Sequence, residues 1–450
     1  MMKNGFTHRS SGLPGLDSIL KGGFVSGRTY LVIGSPGTGK TGLGTQFLRA
    51  GLDKDETVLC IHGEESKEDL LLNAAELGID LEAAEFLDIG PESNFFTQSQ
   101  SYDVVDPRAI EDDELIDDVR DAIEDRDPDR VLIDPITQFQ YIEPTEYQFR
   151  KRIISFMRFL KDHGVTVLVT KTPGSPMDEQ LKSLSDGVIS LEYNDGGRRI
   201  SVPKHRGVGH QEGTHGMEIR SGGIEIYPAL IPEDPTQSFE PTQFRTNIDG
   251  LDSLLGDGLE RGTVTIISGP SGVGKTTLAT EFLQTGAANG DTTLAYLFEE
   301  SIDTFSYRSE SFRIPVTQLC DQGTLSIQTI EPLTQSPEEF AHLVKTQVED
   351  ENAELVVIDG IEGYKTGIKG GEGEIDLRRK LHALTRYLKN ANVTVILVDE
   401  RSEVMGLPQP TSANVSYLAD NIVFQNYIEI DGELQRVVGV LKKRIGGFET

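Results

Sequence analysis

The stretch Thr29–Thr41, TYLVIGSPGTGKT, runs a β-forming apolar segment straight into a glycine-rich turn that ends on Gly39, Lys40 and Thr41. The residues Gly34, Ser35, Pro36, Gly37, Thr38, Gly39, Lys40 and Thr41 fit the pattern GxxxxGK[ST]. Its glycines let successive backbone N–H groups converge on an anion, and the helix that follows adds the positive end of its dipole. Lys40 is then placed to bridge the β- and γ-phosphates of a nucleotide, and Thr41 to give its hydroxyl to Mg²⁺. A glycine-rich turn without a ligand is the bland alternative, and a second copy of the whole arrangement argues against it.

That copy lies in the second half. LDSILKGGFVSGRTYLVIGSPGTGKT from Leu16 returns from Leu251 as LDSLLGDGLERGTVTIISGPSGVGKTT. Gly269, Pro270, Ser271, Gly272, Val273, Gly274, Lys275, Thr276 and Thr277 form the second loop, with Lys275 and Thr276 in the places of Lys40 and Thr41. Other segments repeat in the same order: HGEES with FEES, RVLIDPI with LVVIDGI, LSDGVISLEY with LADNIVFQNYIEI, PKHRG with LKKRIG. A period of this length means two homologous domains. The boundary falls in the proline-rich polar stretch between Tyr227 and Gln243, giving domains 1–235 and 236–450. HGMEIRSGGIEIYP closes the first half as a β-hairpin, and the second half stops six residues after Arg444, so its last strands are expected to be missing.

Each half alternates short β-branched runs with helical segments, the pattern of a mostly parallel sheet covered by helices on both faces. The expected fold is two tandem doubly wound α/β domains. Ligands in such sheets bind beyond the carboxyl ends of the strands. Asp134 and Asp359 end apolar strands there and are candidates to hold Mg²⁺, although a turn or cap role is open to any aspartate at a strand end. Glu64 and Glu299 are candidates to activate the attacking water, with Glu65 and Glu300 in support. In so acidic a chain a solvated acidic turn is the alternative.

Composition bounds the rest. With 42 Lys and Arg against 73 Asp and Glu, the net charge of −31 argues against broad DNA or RNA binding. The acidic surface and scarce lysine are those of proteins from a salt-rich cytoplasm. No apolar run approaches the ~18 residues of a membrane span, and the polar N-terminus, Met1 to Ser10, carries no export signal, so a cytoplasmic location is expected. Cys60 and Cys320 read as small core residues.

Together the loops GSPGTGKT and GPSGVGKTT, the doubled glutamates, VLID and VVID, and the segments Lys204-His-Arg206 and Lys442-Lys-Arg444 resemble the KaiC-like ATPases of the RecA superfamily, over about residues 7 to 448. The resemblance implies an ATP-hydrolysing ring, usually a hexamer, with ATP between subunits. Lys204 and Arg206 would reach the γ-phosphate held by the adjacent subunit, and Lys442 and Arg444 would do so in the second tier; surface basic residues at a strand end are the alternative. Clock members of the family also phosphorylate themselves on adjacent Ser and Thr in the second domain. The corresponding stretch here is Asn414-Val-Ser416-Tyr417-Leu-Ala-Asp420, with serine kept and tyrosine at the threonine position. Ser416 is the candidate phosphosite, with Glu299 as base. Two other readings use the same core. A RadA-like recombinase would bind DNA through loops such as KTGIKGGEGEIDLRRK, Lys365–Lys380, and a scaffold would use ATP to recruit a signalling partner.

Overall fold

The computed structural model describes residues 5–90, 119–138, 146–175, 177–194, 197–231, 242–246, 248–331, 334–367, 374–401 and 416–446. Residues 1–229 and 230–450 form separate compact units. Much of the inter-domain stretch, residues 232–241, lies outside the described residues, as do 368–373 of the glycine-rich stretch and 402–415 before Ser416.

In the first unit β1 (His8–Arg9) and β2 (Phe24–Val25) make a small ribbon. The main sheet comprises β3 (Thr29–Gly34), β4 (Val58–His62), β5 (Glu85–Asp88), β6 (Arg130–Asp134), β7 (Thr166–Lys171), β8 (Gly187–Asn194), β9 (Gly197–His205), β10 (Thr214–Arg220) and β11 (Gly223–Tyr227). The strand order is β11-β10-β9-β8-β3-β7-β6-β4-β5. β3 lies parallel to both neighbours, β7 and β8. From β8 to β11 the pairing is antiparallel, and β10–β11 is the hairpin expected at the end of the first half. The helices are α1 (Pro14–Ile19), α2 (Lys40–Leu52), α3 (Lys67–Glu76), α4 (Glu146–Asp162) and α5 (Asp178–Leu184).

Alternation along the strands explains why their sequences read as unbroken apolar runs. Tyr30 and Val32 pack with Leu43, Phe47 and Leu48 of α2, whereas Leu31, Val131 and Val167 pack with Ile153, Phe156 and Leu160 of α4 on the other face. With both faces covered, side chains on either face of the strand are buried, and most of them are apolar.

The second unit repeats the plan. A ribbon of β12 (Gln243–Phe244) and β13 (Leu259–Glu260) precedes β14 (Val264–Pro270), β15 (Thr293–Leu297), β16 (Leu325–Thr329), β17 (Leu355–Asp359), β18 (Thr394–Arg401), β19 (Asn421–Ile430) and β20 (Glu433–Lys443). Their order is β16-β15-β17-β18-β14-β19-β20. The helices are α6 (Asp249–Leu254), α7 (Lys275–Ala288), α8 (Ile302–Ser311), α9 (Val316–Asp321), α10 (Pro337–Glu351), α11 (Ile361–Gly367) and α12 (Glu374–Asn390). Val264 and Ile266 join one core with α10 and α12, and Ile267 joins the other with α7. Among the described residues no strand follows β20. No described helix is long and apolar enough to cross a membrane. One expectation is corrected: Cys60 is buried in β4, but Cys320 is exposed. It sits on the short helix α9, whose apolar face is carried by Val316 and Leu319.

Within the first unit Tyr30 hydroxyl lies 3.1 Å from His205 Nε2 and accepts the N–H of Val25 at 2.7 Å. Burial, helped by His210, His8 and Arg28, holds the His205 imidazole down from 6.5 to about 4. The folded chain therefore binds fewer protons than the unfolded chain between those pH values. Its contribution is complete above the ordinary histidine pKa and is lost as pH falls toward 4. Thermal melts from pH 7 to 4 should show an acid-side loss of Tm in the wild type that is smaller by ~2–4 °C in His205→Gln; parallel curves would remove His205 from this role.

Candidate active site

Each phosphate loop leaves the middle of its sheet. Gly34 has no room for a side chain, since a Cβ there would stand 2.7 Å from the Leu191 carbonyl oxygen of β8. Gly39 and Gly274 cap α2 and α7 at φ of 99° and 113°, a left-handed geometry that favours glycine. Ser35, Pro36 and Gly37 are exposed at the turn, as are Ser271 and Gly272, while Thr38 and Val273 are buried beneath it. Thr38 donates its hydroxyl to the Ser35 carbonyl at 2.8 Å. The lysines fold back over their own loops: Lys40 Nζ donates to Ser35 O at 3.1 Å and Lys275 Nζ to Pro270 O at 2.9 Å. Thr41, Thr276 and Thr277 lie on the first turn of the helices, half-buried.

The carboxylates come from the neighbouring strand ends. In the second unit Thr276 stands beside Asp359, which is 9% exposed. Burial, with Glu300 adding repulsion, pushes the Asp359 carboxyl up to about 6 despite Thr276 and the nearby Arg308 and Lys275. Glu299 is held above the ordinary carboxylate range by burial and by Asp359, Glu400 and Glu362, with Lys275 opposing. In the first unit Glu64 is raised by burial and by Asp134 and Glu65, with Lys40 opposing, and Asp134 accepts the Thr170 hydroxyl. Burial pulls the Lys40 ammonium below its ordinary value, against Asp134 and Glu64. Lysine, aspartate and first glutamate thus act electrostatically on one another in both halves.

The second glutamates face elsewhere. Glu65 accepts Asn73 of α3 at 3.0 Å, and its carbonyl lies 2.9 Å from His62 Nδ1. Glu300 is paired with Arg308 of α8 at 2.7 Å. A threonine hydroxyl beside a buried carboxylate is a hard oxygen donor set, and burial with Glu300 nearby holds that carboxylate above its ordinary range. Both features fit a divalent cation such as Mg²⁺.

Lys204, Arg206, Lys442 and Arg444 stand at the other end of the sheets. Lys204 pairs with Val188 on β8, which runs beside β3 with Gly187 next to Tyr30 and Leu191 next to Gly34. It is thus about three residues, on the order of 10 Å, back from the loop. Its Nζ donates to the carbonyls of Lys182 and Ser183, at 2.6 and 2.9 Å, and Arg206 also reaches Ser183 at 2.9 Å. In the second unit Lys442 donates to Ser416 O at 3.0 Å and Ala419 O at 2.6 Å, and Arg444 pairs with Asp420 at 3.2 Å. Burial and the neighbouring arginine lower the pKa of Lys204 and of Lys442. Ser416, ahead of β19, is also at this far end, whereas Glu299 is at the loop end.

Some site residues carry no sequence motif. Thr170 holds Asp134, and Arg198 reaches Gly37 O at 3.4 Å from β9 while lying over the Tyr193 ring. Glu400 forms an ion pair with Lys275 at 3.3 Å. Only strand register brings them to the loops; for Arg198 the cross-strand pair with Tyr193, repeated as Tyr427 with Arg436, is the nearest thing to a signal.

The KaiC ATPase family model matches residues 9–231 and again 244–450. The circadian clock oscillator protein KaiC of Parathermosynechococcus lividus is 28% identical over 457 residues, covering 98% of this chain and 82% of that protein. Those of a Picosynechococcus strain and a Nostoc strain are also 28% identical, over 96% and 98% of this chain and 84% and 86% of theirs. Two phosphate loops, each facing a strand-end aspartate and a glutamate, are what an ATPase of this kind needs to bind a nucleotide with a divalent metal. On matches that span both halves, the chain belongs to the KaiC ATPase family.

Proposed function

We propose that this protein is a cytoplasmic Mg-ATPase built as a homo-oligomeric ring, hexameric by the family resemblance, whose domains 1–235 and 236–450 each hydrolyse ATP for a regulatory or signalling purpose. The observation that carries this reading is the polarity of each sheet. Loop, aspartate and glutamate gather at one end, and the Lys/Arg pair faces away from them at the other. A head-to-tail contact between copies brings one end against the other, and such contacts generate rings when the rotation closes.

In this reading ATP lies along Gly34–Thr41 or Gly269–Thr277, its β- and γ-phosphates held by the loop N–H groups and by Lys40 or Lys275. Thr41 with Asp134, and Thr276 with Asp359, hold Mg²⁺, which neutralises phosphate charge when bound. Glu64 or Glu299 takes a proton from water as its oxygen attacks the γ-phosphorus and the bond to the β–γ bridging oxygen breaks, giving ADP and phosphate. A carboxylate raised above its ordinary pKa is a better proton acceptor. Glu65 and Glu300 hold the strand ends. Lys204 with Arg206, and Lys442 with Arg444, stabilise the transferring charge on the neighbouring subunit. Ser416 is the acceptor for autophosphorylation; since it lies at the far end of its own sheet, the phosphate comes from an adjacent copy with that copy's Glu299 as base. The partner is a signalling protein rather than nucleic acid, in keeping with the net charge of −31.

Glu64→Gln with Glu299→Gln is expected to cut turnover about 10²–10⁴-fold while calorimetry still finds wild-type nucleotide stoichiometry. Loss of binding together with turnover would take both glutamates out of the water-activating role. The reach between subunits is testable by complementation in chains that all carry Lys275→Ala. Glu64→Gln and Arg206→Ala chains, each inactive alone, should regain part of the activity when mixed, because some interfaces then hold an intact pair. Mixed rings seen by native mass spectrometry without any recovery would refute the role of Arg206 across the interface.

A further inference from the structure

The halves differ where β7 and β18 end. β18 lies parallel to β14 with Ser268 beside Asp399 and Gly269 beside Glu400, so Glu400 stands level with the first glycine of the second phosphate loop. In the first unit β7 places Lys171 beside Ile33, and the next residue, Thr172, occupies the matching position. A neutral hydroxyl thus stands where the second unit has a carboxylate. Glu400 Oε2 is 3.3 Å from Lys275 Nζ, with the lysine side chain 7% exposed and the glutamate 41%. Among the described residues no carboxylate lies within ion-pair distance of Lys40, which bonds to its own loop.

Resting on the reading of the second loop as an ATP site, we propose that Glu400 is a specificity-determining residue that occupies Lys275 in place of the γ-phosphate and so sets how far this site favours ATP over ADP. The ammonium that bridges the β- and γ-phosphates is already matched with a negative charge. A terminal phosphate arriving at Lys275 meets a like charge at the end of the adjacent strand and must push it toward solvent, which its partial exposure allows. ADP ends one phosphate short and keeps more distance from that carboxylate. The repulsion therefore falls chiefly on the triphosphate, and it acts through few layers of water because Lys275 is buried. At the first site Thr172 carries no charge, so the same discrimination is absent there.

The test uses the full chain with Lys40→Ala, which leaves the second loop as the site to be read, and measures equilibrium binding of ADP and of adenylyl imidodiphosphate, a non-hydrolysable ATP analogue, with Mg²⁺. Glu400→Gln and Glu400→Thr should each tighten the triphosphate about tenfold and ADP by less than about threefold. In the reciprocal chain, Lys275→Ala with Thr172→Glu, the triphosphate should loosen at the first site more than ADP does. An unchanged or reduced preference for the triphosphate in the Glu400 variants would overturn the inference. If the Lys40→Ala chain took up neither nucleotide, the reading of the second loop as an ATP site would fail, and the inference with it.

Discussion

Asp359 is buried at the mouth of the second phosphate loop with Glu299 and Glu300 close enough to raise one another's pKa. Negative charge at that depth costs several kcal/mol unless positive charge is supplied beside it. The fold supplies some. Lys275 is turned onto its loop, Arg308 neutralises Glu300, and α7 presents its N-terminus. Asp359 nevertheless remains raised, chiefly by its burial. That setting fits the metal nucleotide expected of a KaiC-family ATPase.

The apolar interior serves that constraint. β3 and β14 each lie between parallel neighbours, so their ends, and the loops that follow, are fixed by packing on both faces. Only where the strands emerge can charge be tolerated, and the parallel direction gathers those ends on one side. At the opposite ends Asp186 and Asp420 fill an equivalent place, taking the backbone N–H groups of Thr29 at 3.4 Å and of Val264 at 3.0 Å. Asp420 also pairs with Lys389 and Arg444. The Lys/Arg pairs are thereby locked on the side of the sheet away from their own loops.

Much of this was legible in the residues. The phosphate loops, the strand-ending aspartates and the alternation of apolar runs depend on local order, and the repeat doubled each signal. Strand register is set by tertiary packing, and that is where the sequence was silent. EE reads as two equivalent acids, yet Glu64 senses Lys40 while Glu65 is held by Asn73 and His62. Arg198 and Glu400 reach the loops from strands far along the chain, with no motif to mark them. Cys320 lies near apolar residues in sequence, but a short helix turned it outward.

Comparing the halves strand by strand separates what packing demands from what chemistry can vary. VTVLVTKT and VTVILVDE align along β7 and β18, and their inner residues stay apolar because both faces are covered. At the ends the charge reverses. Buried Lys171 pairs with Asp178, whereas the matching Asp399 is buried near Ser268 at 3.4 Å. One residue further on, neutral Thr172 faces charged Glu400. A swap of lysine for aspartate inside a core is tolerated only when its partner changes too, since an unpaired buried charge is severely destabilising. The two loops therefore sit in different fields despite their matching sequence pattern, and equal loops do not entail equal nucleotide sites.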